Sequence, residues 1–528
     1  MHRILVSDKL GAAALERLKE HADMSVDVKT GLSKEELLAV IPDYDALIVR
    51  SGTQVTAEVL AAAKKLRVVG RAGVGVDNID VKAATMSGVV VMNTPGANSM
   101  ATAELTMALM LAVSRNIPQA HASLKAHEWR RSEFVGVQLY NKVLGIVGFG
   151  RVGKLVAERA QAFGMEVLAF DPIALEETAR EMGVMLVEMD ELLAKSDYIT
   201  LHAALNPSTS KLINAETIAQ MKDGVILINA ARGKLIDEAA VAAALQSGKM
   251  KAAAVDVYSS EPPPADHPLI GLPNVVHVPH LGASTHEAER DVGIQIVGQV
   301  VAALRGTDYT YAVNMPFELE GDYATVRPYL ELAETLGRLH AGLADRPIRR
   351  LEVEVQGDIV GGLVRAIGAA LLKGLLEKDA DVAVNYINAP VLAHERNIAM
   401  TQTVGINSLD YPNLIAARAV CDRGERLLAG VLFGGTEPRI AQMDNYRLEA
   451  RPEGVVLIMQ NRDVPGVIGQ VGTLLASYGL NIGEWRLGRN KPGGEALSFI
   501  NLDAEPAAEA LRALTEIDAV TQAKVVRL

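Results

Sequence analysis

The sequence predicts an α/β protein with two doubly wound, Rossmann-like domains, followed by a further α/β domain and a C-terminal ferredoxin-like unit. The first observation behind this prediction is the segment VLGIVGFGRVG at 143–153, a short apolar strand followed by glycines in the spacing G-x-G-x-x-G. The second is the alternation of apolar strands and helical stretches on both sides of that segment, which is typical of parallel sheets. The third is the strand–helix–strand–strand–helix–strand order after residue 451, which is typical of a ferredoxin-like unit.

The glycine-rich segment indicates a dinucleotide-binding turn. Gly148 allows a tight turn, Gly150 lets a pyrophosphate approach the backbone, and Gly153 lets the helix pack closely on the strand. The helix that begins near Arg151 directs its free N–H groups and its positive dipole end at that phosphate. Asp171 ends the next strand, about 20 positions on, where an acidic residue binds the adenosine ribose. A carboxylate there would repel a 2′-phosphate, so we expect NAD rather than NADP.

The composition narrows the class of protein. The chain has 528 residues, 49% of them apolar, and a formal net charge of −12, whereas nucleic-acid-binding proteins normally carry a basic face. The apolar run in MHRILVSDKL is too short for a signal peptide, and the longest apolar run, Leu105–Val113, is far shorter than the roughly 20 residues that span a bilayer. Cys421 is the only cysteine, which excludes an intramolecular disulfide and a cysteine-based metal cluster. These features predict an acidic, soluble, cytoplasmic protein.

Strands and helices alternate through residues 1–95, and the alternation resumes after Asp171. We expect strands at Arg3–Ser7, Ala46–Arg50, Arg67–Arg71, Val89–Asn93, Tyr198–Leu201, Val225–Asn229, Ala252–Val257 and Val275–Val278, and helices at Ala12–His21 and Ala57–Lys65. The stretch from Asn98 to about Leu124 is apolar on all sides, which predicts a buried helix. The sequence therefore predicts two successive parallel sheets.

The rest of the chain predicts two more domains. The segment 283–314 looks helical, and we expect it to pack back onto the first domain. Residues 316–450 include a half-exposed strand at Leu351–Val355 and an amphipathic helix at Gly362–Lys378, with no motif that carries chemistry. In the C-terminal unit we expect strands at Val455–Gln460, Gly483–Gly488, Ala496–Leu502 and Val520–Arg527, and helices at Gly466–Tyr478 and Ala507–Leu514.

Three ionisable residues follow three successive strands of the nucleotide-binding domain: Arg232, Glu261 and His280. The carboxyl ends of these strands face the crevice in which a cofactor binds. A dehydrogenase of 2-hydroxy acids needs a base there, and histidine exchanges protons near neutral pH. It also needs a cation for the substrate carboxylate, which the planar fork of Arg232 can bind bidentately, and a carboxylate such as Glu261 to favour the protonated imidazole and orient its ring. Each residue taken alone has another interpretation: His280 as a structural histidine, and Arg232 and Glu261 as side chains exposed to solvent.

Two further places in the first domain suggest an anion site. Arg50 and Ser51 end one strand at the edge of the sheet where ligands bind. Arg71 ends the next strand, and the glycines that follow it, beginning with Gly73, permit exposed N–H groups that could hold a carboxylate. A plain turn with a solvated arginine is the alternative.

The order of short motifs along the chain resembles the D-isomer-specific 2-hydroxyacid dehydrogenases. The motifs are RAGVGVDN (71–78), NTPGAN (93–98), GFGRVG (148–153), NAARG (229–233), VDVYSSEP (255–262) and PHLGAST (279–285). The C-terminal stretch NRDVPGVIGQVG (461–472), with Asn481-Ile482, is similar to an ACT regulatory domain, so the resemblance covers essentially the whole chain. It implies NAD-dependent oxidation of D-3-phosphoglycerate to 3-phosphohydroxypyruvate, the first step of phosphorylated serine biosynthesis, by a homotetramer that L-serine inhibits.

The resemblance also implies the division of the chain and the roles of its residues. Residues 1–97 and 284–315 form a discontinuous substrate-binding domain, 98–283 the NAD-binding domain, 316–450 an intervening allosteric-type domain and 451–528 the ACT domain. In the catalytic set, Arg232 binds substrate, Glu261 supports the base and His280 is the acid/base. The cofactor-binding set is Val74, Gly148, Gly150, Arg151, Val152, Gly153, Asp171, Ala230, Asp256 and Gly282. The positions for the substrate carboxylate and phosphate are Arg50, Ser51, Arg71 and Gly73.

The remaining residues concern an effector site in the ACT domain and three departures from the family pattern. Asp463 could pair with the ammonium group of an amino acid, and Asn481 could supply a further hydrogen bond. Asn461 stands where relatives carry histidine or tyrosine, and Ala204 where the family usually carries proline. The run Pro262-Pro263-Pro264 stiffens the loop after Glu261.

Other functions remain open on the sequence alone. One is the oxidation of another hydroxy acid, such as glycerate, lactate or 2-hydroxyglutarate, although Arg50 and Arg71 beside Arg232 favour a doubly anionic substrate. Another is an NAD-sensing regulator without enzymatic activity, but the set of Arg232, Glu261 and His280 argues against it. A third is an amino-acid sensor, but the complete cofactor fingerprint argues against that function.

Overall fold

The N-terminal sheet of the computed structural model contains five parallel strands. The structure describes residues 1–318, 323–378, 380, 382–405, 411–422 and 424–528. The strands are β1 (His2–Val6), β2 (Met24–Val28), β3 (Ala46–Val49), β4 (Val68–Arg71) and β5 (Val90–Met92), in the order β2-β1-β3-β4-β5. The helices are α1 (Ala12–Lys19), α2 (Lys34–Val40), α3 (Ala57–Ala62) and α4 (Val81–Met86). The sequence prediction lacked β2 and α2, since β2 is a half-exposed edge strand of mixed polarity.

The second sheet contains seven parallel strands and carries the glycine-rich turn. They are β6 (Val143–Val147), β7 (Glu166–Phe170), β8 (Met185–Leu186), β9 (Tyr198–Leu201), β10 (Val225–Asn229), β11 (Met250–Val255) and β12 (Val275–His277). Their order is β12-β11-β10-β9-β6-β7-β8, so the winding reverses beside β6, where open α/β sheets bind ligands. The helices are α5 (Ser99–Ser114), α6 (Ile117–Lys125), α7 (Arg151–Ala162), α8 (Glu176–Glu181), α9 (Met189–Lys195), α10 (Ala215–Gln220) and α11 (Glu238–Ser247).

A long helix returns from the second sheet to the first. This helix, α12 (His286–Arg305), buries Val292, Ile296, Val297 and Val300 in one apolar core with the strands of the N-terminal sheet. After it, Ala312 forms a β-bridge with Met92. The chain therefore enters and leaves the nucleotide-binding sheet through the same neighbouring sheet, which places the ends of β4 and β10 across one cleft.

The third sheet is mixed and is covered by two long helices. The elements are α13 (Tyr323–Leu343), β13 (Ile348–Gln356), α14 (Asp358–Gly361), α15 (Val364–Leu376), α16 (Ala389–Glu395), β14 (Ala399–Val404), β15 (Leu414–Cys421), β16 (Gly424–Phe433), β17 (Glu437–Met443) and β18 (Tyr446–Ala450). The strand order is β14-β13-β15-β16-β17-β18. In the described residues, β13 and β14 pair in parallel, and the other neighbouring strands pair antiparallel. The sequence prediction missed α13, although its buried residues recur at helical spacing.

The C-terminal unit has the predicted ferredoxin-like order. Its elements are β19 (Val455–Arg462), α17 (Val467–Ser477), β20 (Ile482–Arg489), β21 (Glu495–Leu502), α18 (Ala508–Thr515) and β22 (Val520–Arg527), with the antiparallel strand order β20-β21-β19-β22. One face of the sheet packs on its own helices. The other face, including Ile458 and Phe499, shares a core with α13 and α15 of the preceding domain. The predicted fold class is therefore confirmed.

None of the helices in the described residues is both long and apolar enough to cross a membrane. No three or more His, Cys, Asp and Glu side chains of these residues form a group that could hold a metal ion.

Candidate active site

A cleft of about 1090 Å³ lies between the end of β4 and the carboxyl ends of β9, β10 and β11. Seven of the residues singled out by sequence line it: Val74, Val152, Ala230, Arg232, Asp256, His280 and Gly282. The loop after β9, residues 202–205, lines it as well. Residues that are far apart along the chain thus meet in one open cavity at the switch point of the sheet.

The glycine-rich turn has the shape that a dinucleotide pyrophosphate requires. Gly148 has φ of 96°, and a Cβ on it would lie 2.5 Å from the backbone nitrogen of Ala203. A Cβ on Gly150 would meet no atom within 4 Å, so the backbone there borders open space. A Cβ on Gly153 would lie 2.2 Å from the carbonyl oxygen of Gly148, which keeps α7 close to its strand. Gly150 also caps α7 without a side chain, so the first N–H groups, from Arg151 on, are left for an anionic ligand.

Asp171 is held in place beside this turn by the backbone. One carboxylate oxygen accepts the N–H of Phe149 at 2.8 Å, and the other accepts the N–H of Ile173 at 3.0 Å. An ionised carboxylate has about four lone-pair positions, so each oxygen keeps one for a ribose hydroxyl. The residues of this half of the cleft therefore fit a dinucleotide with a free 2′-hydroxyl.

His280 and Glu261 form a close pair. His280 Nδ1 lies 2.6 Å from Glu261 Oε2, and the N–H of Tyr258 donates to Glu261 Oε1 at 3.1 Å. Burial alone would raise the pKa of Glu261, but the hydrogen bonds from His280 and Tyr258 outweigh it and lower that pKa. A carboxylate that stays ionised and bonds Nδ1 leaves Nε2 of the half-exposed imidazole to exchange a proton in the cleft.

The backbone of His280 is held by Asp256. His280 has φ of 54°, and its N–H donates to the carbonyl of Asp256 at 2.8 Å. The Asp256 carboxylate accepts the N–H groups of Leu281 at 2.6 Å and Gly282 at 3.0 Å. It is fully buried, and burial raises its pKa despite these two bonds. A buried acceptor for two N–H groups stabilises a left-handed backbone that a histidine rarely adopts.

Arg232 faces Asp77 across the cleft. Its Nε donates to Asp77 Oδ2 at 3.1 Å, and its Nη1 donates to the carbonyl of Ala231 at 2.7 Å. A Cβ on Gly75 would lie 2.0 Å from Arg232 Nη2, so only glycine leaves room for the guanidinium. The sequence prediction missed Asp77, although it lies in the motif RAGVGVDN.

Arg71 is a half-buried cation without a carboxylate partner among the described residues. Its Nε is buried and has no hydrogen-bond partner there. Burial and the positive charges of Arg232 and Arg50 lower the pKa of Arg71 to about 10, so it is still charged at neutral pH. A Cβ on Gly73 would lie 2.2 Å from its Nη1. An unpaired buried charge is costly, which favours an anionic ligand at this place.

Arg50 lies at the rim of the same region. Its Nη1 is 3.2 Å from Glu289 Oε1, and its backbone N–H donates to Asp8 at 2.6 Å. Ser51 is exposed beside it. The three arginines thus form a positive region on the substrate side of the cleft, opposite the glycine-rich turn.

His202 also lines the cleft, and the sequence prediction did not include it. Its Nε2 lies 3.0 Å from the hydroxyl of Thr200, and burial lowers the pKa of His202 to about 3, so it is neutral at physiological pH. The feature of the sequence that could have identified His202 is its place directly after the buried strand β9. Two residues on, Ala204 accepts a hydrogen bond from Thr209 at 2.7 Å, which closes the loop without the proline that the family usually carries.

The residues suggested for an effector are engaged within the C-terminal unit. Asp463 Oδ2 accepts the N–H of Gly493 at 3.0 Å and lies 3.3 Å from Arg489 Nη1. Asn481 donates to Asp503 at 2.7 Å. Asn461 is buried and donates to the carbonyl of Arg462 at 2.8 Å. Asp463 and Asn481 therefore have internal partners, which an amino-acid ligand would have to share or replace.

Three family models match successive parts of the chain. Residues 107–282 match the NAD binding domain of the D-isomer specific 2-hydroxyacid dehydrogenases, 325–444 the intervening domain of D-3-phosphoglycerate dehydrogenase, and 455–519 the ACT domain. Among solved structures, a protein from Thermus thermophilus is 37% identical, with a TM-score of 0.54 over 59% of this chain and 99% of its own. A D-lactate dehydrogenase from Aquifex aeolicus, complexed with NAD and lactic acid, is 28% identical, with a TM-score of 0.53 over 58% and 96%.

The fold and the cleft thus define an NAD-dependent oxidoreductase of the D-2-hydroxyacid class. Curated relatives match over the whole length. D-3-phosphoglycerate dehydrogenases from Methanocaldococcus jannaschii, Archaeoglobus fulgidus and Bacillus subtilis are 44%, 42% and 38% identical, each over 100% of both chains. The chain belongs to the D-3-phosphoglycerate dehydrogenase family.

Replacing Asp171 should alter the choice of cofactor. In Asp171→Ser, the carboxylate that would repel a 2′-phosphate is absent, so the ratio of kcat/KM with NAD to that with NADP should fall by about tenfold or more. Steady-state kinetics with both cofactors measure this ratio, and Asp190→Ser, at an exposed position on α9, is the control. An equal use of NAD and NADP by the wild type would contradict the role given to Asp171.

Replacing either member of the His280–Glu261 pair should alter proton transfer. His280→Ala should lower kcat by roughly 10²–10⁴-fold, with NAD binding nearly intact. Glu261→Gln removes the charge that stabilises the protonated imidazole, so the acid limb of the pH–rate profile should move to lower pH. The kcat/KM profile and an NAD titration measure both effects. Full activity with an unchanged profile in Glu261→Gln would remove this carboxylate from the mechanism.

Proposed function

We propose that this chain oxidises D-3-phosphoglycerate to 3-phosphohydroxypyruvate with NAD, in the cytoplasm and as a homotetramer. The single observation that carries the choice of substrate is the half-buried Arg71 beside Arg232 and Arg50, whose buried Nε has no hydrogen-bond partner among the described residues. A phosphorylated hydroxy acid has two anionic groups, and the cleft offers cations for both. The full-length relatives that carry this enzyme name support the same choice.

In the proposed reaction each residue of the cleft has a separate task. Arg232 holds the substrate carboxylate, and Arg71 with Arg50 and Ser51 holds the phosphate. His280 takes the proton of the C2 hydroxyl at Nε2 as the C2 hydride leaves, and the bound NAD supplies the hydride acceptor. Glu261 stabilises the imidazolium that results.

The cofactor is proposed to lie along the other half of the cleft. The first turn of α7, from Gly150 to Gly153, would hold the pyrophosphate, and Asp171 would hold the adenosine ribose. Val74, Val152, Ala230 and Gly282 would form the walls around the nicotinamide end. Asp256 lies beneath these walls and holds the backbone of residues 280–282.

Two other functions are less well supported. A dehydrogenase of lactate or glycerate would share the pair of His280 and Glu261, but these monoanionic substrates would leave Arg71 without an anion. 2-Hydroxyglutarate has a second carboxylate for Arg71, and the full-length relatives named D-3-phosphoglycerate dehydrogenase favour the phosphorylated acid over it. A regulator that only senses NAD would have no use for a 2.6 Å histidine–carboxylate pair beside the cofactor cleft.

The substrate assignment predicts a selective effect at Arg71. In wild-type protein, NADH formation should be far faster with D-3-phosphoglycerate than with D-glycerate, D-lactate or D-2-hydroxyglutarate. Arg71→Gln should raise the KM for D-3-phosphoglycerate by roughly ten- to a hundredfold, because a charged hydrogen bond is lost, while the rate with D-glycerate changes little. Arg290→Gln, at an exposed position on α12, is the control. Equal activity on phosphorylated and unphosphorylated acids would contradict the proposal.

We also propose that L-serine binds the C-terminal unit and inhibits the enzyme. The turn from Asp463 to Gly466 precedes α17, whose N-terminal N–H groups could hold an amino-acid carboxylate where two such units meet. Asp463 would hold the ammonium group and Asn481 would add a hydrogen bond. Inhibition then requires that serine bind one conformation of the enzyme more tightly than another.

Calorimetry with L-serine tests this regulatory site. Wild-type protein should bind serine and lose activity in its presence, and Asp463→Ala should lose both effects while its activity without serine is unchanged. Glu505→Ala removes an exposed carboxylate elsewhere in the same unit and should behave as wild type. If serine has no effect on the wild type, or if its effect survives in Asp463→Ala, the C-terminal unit does not act through this site.

A further inference from the structure

We propose that Glu238 is a positioning residue that fixes the loop carrying Glu261, and so sets the distance between Glu261 and His280. This inference rests on the proposed function, in which that pair moves the proton of the substrate hydroxyl. Glu238 is the first residue of α11 and lies outside the cleft, so it acts through the loop rather than on the substrate.

The Glu238 side chain is mostly buried, with 12% of it exposed, and accepts two hydrogen bonds from one residue of that loop. Its Oε1 accepts the N–H of Ser259 at 2.8 Å, and its Oε2 accepts the Ser259 hydroxyl at 2.5 Å. Oε2 also lies 3.1 Å from Nε2 of the buried His267, without a hydrogen bond between the two atoms. A carboxylate can accept on both oxygens, so Glu238 satisfies both donors of Ser259.

Ser259 and its neighbour connect this carboxylate to the catalytic pair. The N–H of Tyr258 donates to Glu261 at 3.1 Å, and Glu261 in turn lies 2.6 Å from His280. The Tyr258 ring packs edge-on against the ring of His267, with centroids 5.4 Å apart. Glu238 thus holds the loop directly at Ser259, the residue next to Tyr258.

The same segment of chain also carries Arg232. A Cβ on Gly233 would lie 1.9 Å from the carbonyl carbon of Tyr258 and 2.4 Å from the nitrogen of Ser259, so the two loops are in direct backbone contact. Glu238 follows five residues later and bonds the same loop from the other side. Gly233 and Glu238 together fix the Glu261 loop relative to Arg232. They therefore also fix the position of the base relative to the cation that binds the substrate carboxylate.

The test compares Glu238→Ala with wild type. Alanine leaves the N–H and the hydroxyl of Ser259 without this acceptor, so the loop should shift and kcat with D-3-phosphoglycerate should fall roughly ten- to a hundredfold. The dissociation constant for NAD should stay unchanged, because Asp171 and the glycine-rich turn lie elsewhere. In a Glu261→Gln background the same change should have little further effect, since both act on one step. Glu216→Ala, at an exposed position on α10, is the control and should behave as wild type.

A crystal structure of Glu238→Ala gives a readout that needs no substrate. The distance from Glu261 to His280 should lengthen from 2.6 Å. Ser259→Ala, which removes one of the two donors to Glu238, should give a smaller effect in the same direction and replaces Glu238→Ala if that variant does not fold. An unchanged distance, an unchanged kcat, or additive effects of Glu238→Ala and Glu261→Gln would each overturn the proposal. If the wild type does not oxidise D-3-phosphoglycerate, the substrate assignment fails, and the distance alone decides the role of Glu238.

Discussion

The hydrogen bond between His280 and Glu261 is the interaction on which the chemistry of the cleft depends. It joins loops that follow two neighbouring strands, β11 and β12, and it directs one imidazole nitrogen away from the cleft and the other into it. The surrounding structure holds both partners. Asp256 fixes the backbone on the histidine side, and the loop around Ser259 fixes the carboxylate side. A histidine–carboxylate pair in a partly buried place is useful only if both partners are held in this way.

Electrostatics divides the cleft into two halves. On one side the turn after β6 offers backbone N–H groups and Asp171, which suits a dinucleotide. On the other side Arg50, Arg71 and Arg232 lie close together, and burial and the positive charges of Arg232 and Arg50 lower the pKa of Arg71. Bringing like charges together costs free energy in the absence of ligand. We interpret this cost as the reason that the cleft favours a doubly anionic substrate. Such a substrate relieves the repulsion between the arginines when it binds.

Much of the fold could be predicted because local signals agreed with one another. The buried strands of the first two sheets are continuous apolar runs, and the glycine spacing marks where β6 turns into α7. The edge strand β2 was missed because its residues are half-exposed and of mixed polarity, and α13 was missed although its buried residues recur at helical spacing. The roles of Asp77 and Glu238 could not be read from their own segments, although Asp77 lies in the motif RAGVGVDN, since their partners Arg232 and Ser259 are far along the chain. Only the folded structure brings these pairs together.

The central claim is that the arginines hold the two anionic groups of one substrate while His280 takes its proton. The most direct measurement is a structure of the protein with NAD and D-3-phosphoglycerate bound. We expect the substrate carboxylate on Arg232, the phosphate on Arg71, and the C2 hydroxyl within hydrogen-bond distance of His280 Nε2. A substrate whose phosphate lies away from Arg71, or whose hydroxyl does not reach His280, would contradict the account.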